Sequence, residues 1–396
     1  MPKLLWLLEY PTISGGERSL AAAIPWVRDA GWELSALVPV PSPAANLLTA
    51  SGVRIVPSLF GIPADRRHAS LDERRARLAE VLVRQSPDLV IANSLSMARL
   101  AGPVTAALGL RAGGHLRDIV RLSAAAVADV NRLDRLWAVS QAARDEHLAQ
   151  GVSSDKLRVA YNGIDLEAFQ PRPASGSLIR ELCLPAGAQL IGVIGQLVQR
   201  KGVDLALEAF VSVAVDRPDW HLVVIGERYS QKDEALQFES QLHTRRVQSG
   251  IAERIHFLGW RDDVHKLLAE LTLLVHAARQ EPLGRVLLEA AACGLPVMAT
   301  DVGGTREVFA DHGTANPELA CELVPAGNVQ ALATGMRRLI DDASRRAALG
   351  IAARRQMERN FDIRQRGPAL AAEYRELLTS PRTVENRDGI CYNNNR

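Results

Sequence analysis

Short apolar runs alternate with longer amphipathic runs along the chain. The apolar runs are KLLWLLEY, ELSALVPV, VRIVPS, DLVIANS, RAGGHL and RLWAVS in the first half, then AQLIGVIGQL, WHLVVIGE, RIHFLGW, LTLLVHAA, PVMATDV and CELVPAG in the second. Segments with helical periodicity, such as LALEAFVSVAVD, lie between them. Strands that alternate with helices favour parallel sheets covered on both faces. The pattern therefore predicts an α/β chain with two doubly wound parallel sheets, each presenting its carboxyl strand ends to a ligand.

A connection rich in turn-forming residues, YNGIDLEAFQPRPASG from Tyr161 to Gly176, separates the two halves. It predicts a first domain of residues 1–165 and a second domain of residues 166–361. The last residues, 381–396, are polar and aperiodic. That composition predicts a loose tail.

The composition is that of an ordinary globular chain. Of 396 residues, 47% are hydrophobic and 23% are charged, and the net charge is +2. This balance gives no electrostatic reason to bind nucleic acid, and we expect no nucleic-acid partner. No apolar run approaches the roughly 18–20 residues that span a bilayer, and MPKLLWLLEYP lacks the cleavage site of a secretory signal, so we expect a cytoplasmic protein. The cysteines, Cys183, Cys293, Cys321 and Cys391, lack the spacing of a zinc site or a disulfide scaffold.

One amphipathic segment, residues 65–84, is rich in arginine. Its basic residues are Arg66, Arg67, Arg74, Arg75, Arg77 and Arg84. The simpler interpretation is a solvated helix face. The alternative is peripheral contact with anionic lipid at the inner face of a membrane.

The segment EPLGRVLLEAAACGLPV, residues 281–297, combines two glutamates with an otherwise apolar run. Pro282 suits the first position of a helix, which makes Glu281 a candidate N-cap. The amides of Leu283, Gly284 and Arg285 then form a helix start that favours an anion such as phosphate. Glu289 follows roughly 7–8 Å further along the helix axis.

Two carboxylates on either side of a bound phosphate need neutral partners. Sugar hydroxyls are such partners, because they donate hydrogen bonds to charged acceptors. A nucleotide sugar has this pattern of ribose, diphosphate and hexose. The alternative is that Glu281 only caps the helix and that Glu289 pairs with a nearby arginine.

A second candidate segment is IGVIGQLVQRKGVD, residues 191–204. Lys201 lies where a helix begins after a buried strand, so its ammonium group can reach a phosphate over the carboxyl edge of the sheet. Arg200 is adjacent. A solvated surface lysine is the alternative. GxGxxG does not occur in the chain, which counts against a nicotinamide or flavin enzyme.

Two further segments end predicted strands. Gly15 and Gly16 close the loop after the first strand, where backbone amides could contact a ligand, and Glu17 starts the helix that follows. A plain tight turn explains the pair equally well. His115 follows two glycines at the end of RAGGHL, with Arg117 just beyond. A histidine with a purely structural role is the alternative there.

Together these segments resemble the retaining GT-B glycosyltransferases of family 4, also called glycosyl transferases group 1. The features that carry the resemblance occur in the family's order: Gly15-Gly16, His115, NGID at residues 162–165, Lys201-Gly202, the two-glutamate segment and GLPVMATDVGGTREV at residues 294–308. The resemblance implies two Rossmann-like domains facing a central cleft. It also implies that the last helix, about residues 362–380, returns onto the first domain.

The resemblance assigns a role to each candidate residue. Those implied to be catalytic are His115, Lys201 and Glu281. Those implied to bind the donor are Gln196, Arg200, Lys201, Arg261, Glu281, Leu283, Gly284, Arg285 and Glu289. Those implied on the acceptor side are Gly15, Gly16 and Arg117. Within the donor set, Glu281 holds the sugar hydroxyls, Glu289 the ribose and Arg261 the base.

The implied reaction moves a sugar, with retention, from a UDP- or GDP-sugar to a hydroxyl of a glycan, a lipid-linked or a small-molecule acceptor in cell-surface polysaccharide or glycoconjugate biosynthesis. We expect no cofactor and no metal, since no D-x-D triplet occurs. One departure from the family is Gln196, where an arginine is usual. Arg200 or Arg285 could supply the missing cation. A nucleotide-sugar epimerase, a phosphorylase that uses pyridoxal phosphate and a non-catalytic sugar-nucleotide binder remain alternatives.

Overall fold

The computed structural model describes residues 1–58, 69–310 and 319–381. The chain forms two compact units. The first contains Met1–Ala138, Glu146–Ala160 and the segment that begins at Arg364, and the second contains Val139–Asp145 and Tyr161–Ile363. Each unit is built on one parallel sheet, which confirms the predicted α/β class with two doubly wound sheets.

In the described part of the first unit, seven parallel strands form a sheet in the order β3-β2-β1-β4-β5-β6-β7. These strands are β1 (Lys3–Leu7), β2 (Glu33–Val38), β3 (Arg54–Pro57), β4 (Leu89–Ala92), β5 (Arg111–Leu116), β6 (Arg135–Ala138) and β7 (Leu157–Val159). The apolar pattern did not predict β7. The reason is that LRV is too short to stand out from the loops beside it.

In the described part of the second unit, six parallel strands form a sheet in the order β10-β9-β8-β11-β12-β13. These strands are β8 (Gln189–Ile194), β9 (Trp220–Ile225), β10 (Ile255–Phe257), β11 (Leu273–His276), β12 (Val297–Thr300) and β13 (Glu322–Val324). Strands β9 and β10 lie on one side of β8, and strands β11, β12 and β13 lie on its other side, so the strand order reverses between β8 and β11. Ligands of doubly wound sheets bind at the carboxyl ends of the strands at such a reversal.

The helices cover these sheets. In chain order they are α1 (Gly15–Asp29), α2 (Pro43–Ala50), α3 (Leu71–Gln85), α4 (Leu95–Ala107), α5 (Ala124–Val130), α6 (Gln141–Ala149), α7 (Ser177–Glu181), α8 (Val203–Ala214), α9 (Asp233–Gln248), α10 (Val264–Glu270), α11 (Arg285–Ala292), α12 (Thr305–Phe309), α13 (Val329–Asp341), α14 (Ala343–Asn360) and α15 (Ile363–Thr379). A short 3₁₀ turn, Gln199–Lys201, precedes α8. None of the described helices is both long enough and apolar enough to cross a membrane.

The last helix, α15, packs within the first unit. Its Tyr374 is fully buried, and Arg375 stacks on the indole of Trp32 with 4.7 Å between the guanidinium carbon and the ring centroid. Glu373 and Glu376 accept hydrogen bonds from Arg158 on β7. Burial of the aromatic ring together with these ion pairs fixes the helix against the sheet.

The described part of the arginine-rich segment, residues 69–84, contains most of helix α3. Ser70 caps α3 through a capping box with Glu73, so the helix begins at Leu71. Arg74 lies 3.6 Å from Glu9, and Arg75 lies 2.7 Å from Asp129. Arg66 and Arg67 lie outside the described residues, as do residues 382–396 of the predicted tail, with Cys391. Contact with a lipid surface stays a prediction.

Candidate functional site

The loops after β8 and β11 meet where the strand order of the second unit reverses. β8 pairs directly with β11, with Ile191 opposite Leu273. Gly202 at the start of α8 has φ +65°, and a Cβ atom there would lie 1.8 Å from the carbonyl oxygen of Ala277. Only glycine permits this approach, because any side chain would both strain the backbone and collide with the neighbouring loop. The close contact brings Lys201 beside the segment that carries Glu281.

Hydrogen bonds from Arg279 hold the two loops together. Its backbone N–H donates to the carbonyl oxygen of Arg200 at 2.8 Å. Its guanidinium group donates to both carboxylate oxygens of Asp204, at 2.8 and 2.7 Å, and to the carbonyl oxygen of Gln199 at 2.8 Å. A planar guanidinium group with two bonds to one carboxylate has little freedom. The turn that carries Lys201 is therefore fixed from both ends.

Glu281 is the centre of a buried charge cluster. Its side chain is 6% exposed, and its Oε2 atom accepts hydrogen bonds from Lys201 Nζ and from His276 Nε2, the latter at 2.8 Å. Burial alone would raise the pKa of the Glu281 carboxyl group, but the Lys201 ammonium group and the His276 donor hold that pKa well below its usual range. Burial lowers the pKa of His276, although Glu281 opposes the shift, so the imidazole is neutral at pH 7.

The predicted capping role of Glu281 is wrong. The helix α11 begins at Arg285, and its N-cap is Gly284, with φ +90° and no side-chain cap. Pro282 therefore lies in the loop before the helix. The carboxylate of Glu281 points instead to Lys201 and His276, with which it forms hydrogen bonds. A Cβ atom on Gly284 would lie 3.2 Å from Glu281 Cγ, so a larger residue at this position would crowd the Glu281 side chain.

The amides before α11 remain suited to an anion. Among the described residues, the backbone N–H groups of Leu283 and Gly284 donate no backbone hydrogen bond. The side chain of Leu283 is buried, and the backbone N–H of Gly304 donates to the carbonyl oxygen of Glu281 at 3.0 Å, which fixes the loop. A fixed loop with two such amides can bind phosphate oxygens.

Glu289 is the fifth residue of α11 and is buried. Its Oε1 atom accepts a hydrogen bond from Arg285 Nε at 2.8 Å, one helical turn earlier. This is the arginine pair that the sequence left open as the alternative. The implied contact of Glu289 with ribose stays a prediction.

Three other predicted donor residues lie in the same unit. Gln196 closely follows β8, and Arg200 is exposed. Arg261 donates to both oxygens of Asp263 at 2.9 Å and to Glu181 at 2.7 Å, and these acceptors raise its pKa. Its guanidinium group is already well satisfied, so a contact with a nucleotide base would compete with two ion pairs. Within the described residues, no group of three His, Cys, Asp or Glu side chains could hold a metal ion.

His115, predicted to be catalytic, is a buried residue of the first unit. It lies within β5, is 3% exposed, and its Nε2 atom lies 2.8 Å from the hydroxyl oxygen of Tyr374 on α15. Its ring stacks on Trp137 with 5.3 Å between centroids. Burial and the nearby charge of Arg117 lower its pKa. These contacts fit the structural alternative, while the catalytic role stays a prediction.

The three predicted acceptor residues lie close together in the first unit. Gly15 and Gly16 do not close a loop as predicted: they are the first two residues of α1, capped by Ser14, and Glu17 is the third residue. The short Ser14 side chain accepts a hydrogen bond from the helix start, which lets the helix begin at the glycines. A Cβ atom on Gly16 would lie 3.2 Å from Arg117 Cδ. Arg117 donates to the backbone and side-chain oxygens of Asn93, each at 3.1 Å.

Two residues of the site, His276 and Arg279, were not predicted from the sequence. His276 lies in LTLLVHAA, which was predicted only as a strand, and Arg279 directly follows that segment. A signal was present, because a histidine that ends an apolar strand lies at the carboxyl edge of the sheet, where ligands bind. The partners of Arg279 are distant in sequence, and the contact of His276 depends on how its loop folds, so neither was visible there.

Comparison with known proteins agrees with the fold and with the order of these segments. Residues 13–168 match the model of Glycosyltransferase Family 4, and residues 178–356 match the model of Glycosyl transferases group 1. The solved structure of Anabaena Alr3699/HepE in complex with UDP and glucose has a TM-score of 0.80 with 23% identity, and the match covers 94% of this chain and 99% of that one. A match at 23% identity supports the shared fold alone.

Two curated relatives extend the comparison. The chain is 32% identical over 220 residues to the lipopolysaccharide core biosynthesis mannosyltransferase LpsB of Rhizobium meliloti, a match that covers 56% of this chain and only 61% of the relative's length. It is 26% identical over 370 residues to the GDP-mannose-dependent alpha-mannosyltransferase of Mycobacterium tuberculosis, covering 88% of this chain and 89% of the relative. With one family model on each half of the chain, the chain belongs to the GT-B glycosyltransferases of family 4, the glycosyl transferases group 1.

Proposed function

We propose that the chain is a metal-independent, retaining glycosyltransferase that moves a hexose from a UDP- or GDP-sugar to a hydroxyl of a glycan, a lipid-linked or a small-molecule acceptor of the cell surface. The observation that carries the proposal is the buried Glu281, held between Lys201 and His276 where the strand order reverses. A carboxylate kept ionised in a buried site is a strong acceptor for sugar hydroxyls. Retention and independence from metal rest on the family resemblance and on the residues below.

The diphosphate binds between the two loops. The amides of Leu283 and Gly284 donate to its oxygens, and the ammonium group of Lys201 neutralises part of its charge. Arg200 supplies the second cation in place of the arginine that Gln196 replaces. Arg285 is less suited, because Glu289 already accepts from it at 2.8 Å.

In the reaction, the bond between the anomeric carbon and the phosphate oxygen breaks, and a bond from that carbon to the acceptor oxygen forms. The departing phosphate oxygen takes the proton of the acceptor hydroxyl on the same face of the sugar. Negative charge develops on the leaving diphosphate, and Lys201 with the loop amides stabilises it. Prearranged donors of this kind typically contribute about 10²–10³ in rate each.

The donor and the acceptor are identified by experiment. A thermal-shift panel of UDP-, GDP- and ADP-sugars comes first, since a ligand at one hundred times its Kd adds roughly 2.7 kcal/mol to stability. The mannosyltransferase relatives make GDP-mannose the first sugar to test, and the HepE complex makes UDP-glucose the second. Turnover is then followed with simple alkyl glycosides as acceptors.

Each outcome separates the alternatives. Transfer only when an acceptor is present supports the proposal, and an anomeric assignment of the product by NMR decides retention. A new nucleotide sugar formed without acceptor indicates an epimerase. Binding without any turnover indicates a non-catalytic protein. Activity that chelators such as EDTA abolish and Mg²⁺ restores contradicts independence from metal.

A further inference from the structure

His276 occupies a fixed position beside Glu281. It is the last residue of β11, pairs in register with Ala299 of β12, and is 3% exposed. The hydroxyl of Thr300 donates to its carbonyl oxygen at 3.3 Å. Its Nε2 atom lies 2.8 Å from Glu281 Oε2. A buried, neutral imidazole on a sheet strand can direct a neighbouring carboxylate with little movement of its own.

The two bonds on Glu281 fall on the same oxygen atom. Lys201 Nζ and His276 Nε2 both donate to Oε2. Both side-chain hydrogen bonds that Glu281 forms with described residues use Oε2 and leave Oε1 available. An ionised carboxylate has lone pairs on both oxygens, so one oxygen atom is fixed by protein and the other can accept from a ligand. Because Lys201 approaches only Oε2, a second donor is needed to set the rotation of the carboxylate plane.

We propose that His276 is a positioning residue: it donates its Nε2–H to Glu281 Oε2 and thereby orients Oε1 towards a hydroxyl of the donor sugar. The identity of that ligand rests on the proposed function, but the hydrogen bond and its direction do not. The bond requires the neutral tautomer with hydrogen on Nε2, since an Nε2 lone pair would face the negative carboxylate. Three charged groups change the pKa of this imidazole: Glu281 raises it, and Lys201 and Arg200 lower it.

The first test uses three variants and two ligands. His276→Gln keeps an amide N–H donor near the position of Nε2, and His276→Leu keeps the bulk without the donor. The matched control is His221→Leu, which changes another buried histidine of the same sheet, at the amino end of β9. Calorimetry measures the Kd of GDP and of GDP-mannose, or of UDP and UDP-glucose where the wild-type protein binds that pair more tightly.

For His276→Leu we expect the Kd of the nucleotide sugar to rise about tenfold, while the Kd of the bare nucleotide stays within about twofold of wild type. We also expect kcat to fall at least about tenfold. Changes of this size correspond to the loss of one hydrogen bond to a charged group. His276→Gln restores both values to within about threefold, and His221→Leu resembles wild type. Equal weakening of both ligands in His276→Leu, or failure of His276→Gln to rescue, overturns the proposal.

The second test needs no nucleotide. Nitrogen-15 NMR of the wild-type protein assigns the His276 tautomer, with His276→Gln identifying the signal. The expected result is the Nε2–H tautomer at pH 8, and an Nδ1–H tautomer overturns the proposal. A wild-type protein with the expected tautomer that binds no nucleotide sugar contradicts the proposed function but confirms the hydrogen bond, so the two failures are distinguishable.

Discussion

The guanidinium group of Arg279 binds both carboxylate oxygens of Asp204, at 2.8 and 2.7 Å, and so joins the loop after β11 to the first turn of α8. Arg279 also donates to the carbonyl oxygens of Gln199 and Arg200, so Lys201 lies in sequence between residues that Arg279 holds. Its ammonium group thus reaches Glu281 from a turn that cannot move independently. The ion pair therefore acts on the site through the backbone of this turn.

Loss of this ion pair is expected to affect turnover more than stability. Arg279→Ala frees the Gln199–Lys201 turn, so we expect kcat to fall about tenfold, since small displacements of a charged group are costly in catalysis. Asp204→Asn should have a similar effect, and the double variant should be no worse than the worse single variant, because both remove one interaction.

The control for that prediction is a pair of the same geometry away from the site. Arg217 binds both oxygens of Asp341, at 2.8 and 2.7 Å. Arg217→Ala should leave kcat unchanged. Equal effects of Arg217→Ala and Arg279→Ala would mean that Arg279 contributes only general stability.

Glu281→Gln tests the charge of the central carboxylate with nearly constant shape. The amide is a weaker acceptor and no longer balances Lys201, so we expect kcat to fall by about 10²-fold or more. Glu270→Gln is the matched control, because Glu270 is also buried in the second unit and accepts hydrogen bonds from Ser175 and Ser177. Retention of full activity in Glu281→Gln would contradict a role for this carboxylate.

Gly202→Ala tests whether the two loops must touch. An alanine with left-handed backbone angles costs roughly 1–3 kcal/mol of stability. We expect Gly202→Ala to destabilise the second unit by more than this, because its Cβ would lie 1.8 Å from the Ala277 carbonyl oxygen. Gly250→Ala separates the two effects, since Gly250 has φ +74° and no atom within 4 Å of its Cβ position. Equal loss of melting temperature in both variants would exclude the contact as a cause.

The replacement of the family's arginine by Gln196 predicts a gain of function. Gln196→Arg adds a cation at the end of β8, and we expect the Kd of the nucleotide diphosphate to fall severalfold, with a steeper dependence on salt. Arg200→Ala should raise this Kd in the wild-type background and have a smaller effect in the Gln196→Arg background. If Arg200→Ala leaves the Kd unchanged in both backgrounds, Arg200 does not bind the diphosphate.

Buried histidines predict a loss of stability in weak acid. The pKa of His115 in the folded chain lies well below its ordinary value of about 6.5, so the unfolded chain binds the proton first as the pH falls. Its contribution to stability is therefore complete above about pH 6.5 and decreases by up to about 1.4 kcal/mol per pH unit below that value. The lowered pKa of His276 acts in the same direction.

Calorimetric melting temperatures between pH 7 and pH 5 measure this effect. His115→Asn, which removes the titrating ring, should lower the melting temperature at pH 7 but reduce its dependence on pH. A pH dependence that is the same in His115→Asn and in wild type would show that His115 is not its source.

The chain's apolar pattern was sufficient to predict both sheets, because a buried parallel strand must be apolar along its whole length and its covering helix must show a 3.6-residue period. KLLWLLEY and WHLVVIGE show this clearly, whereas β7 has only three residues and no such pattern. The glycine, lysine and glutamate segments also carried the resemblance to the family, which the family models then matched over residues 13–168 and 178–356.

The tertiary structure decided the contacts between site residues that are distant in sequence, whereas the pair of Arg285 and Glu289 is local to one helix. From the sequence, Pro282 favoured Glu281 as a cap, yet the contacts made in the folded chain overruled that local preference. The residues at 15 and 16 were predicted as a loop, but a local capping box between Ser14 and Glu17 starts the helix there. The carboxylate of Glu281 binds Lys201, 80 positions earlier in the chain, and local periodicity contains no information about such a pair. The importance of His276 follows from the same cause: its hydrogen bond depends on where two loops meet, and that is fixed by the packing of strands whose sequences are far apart.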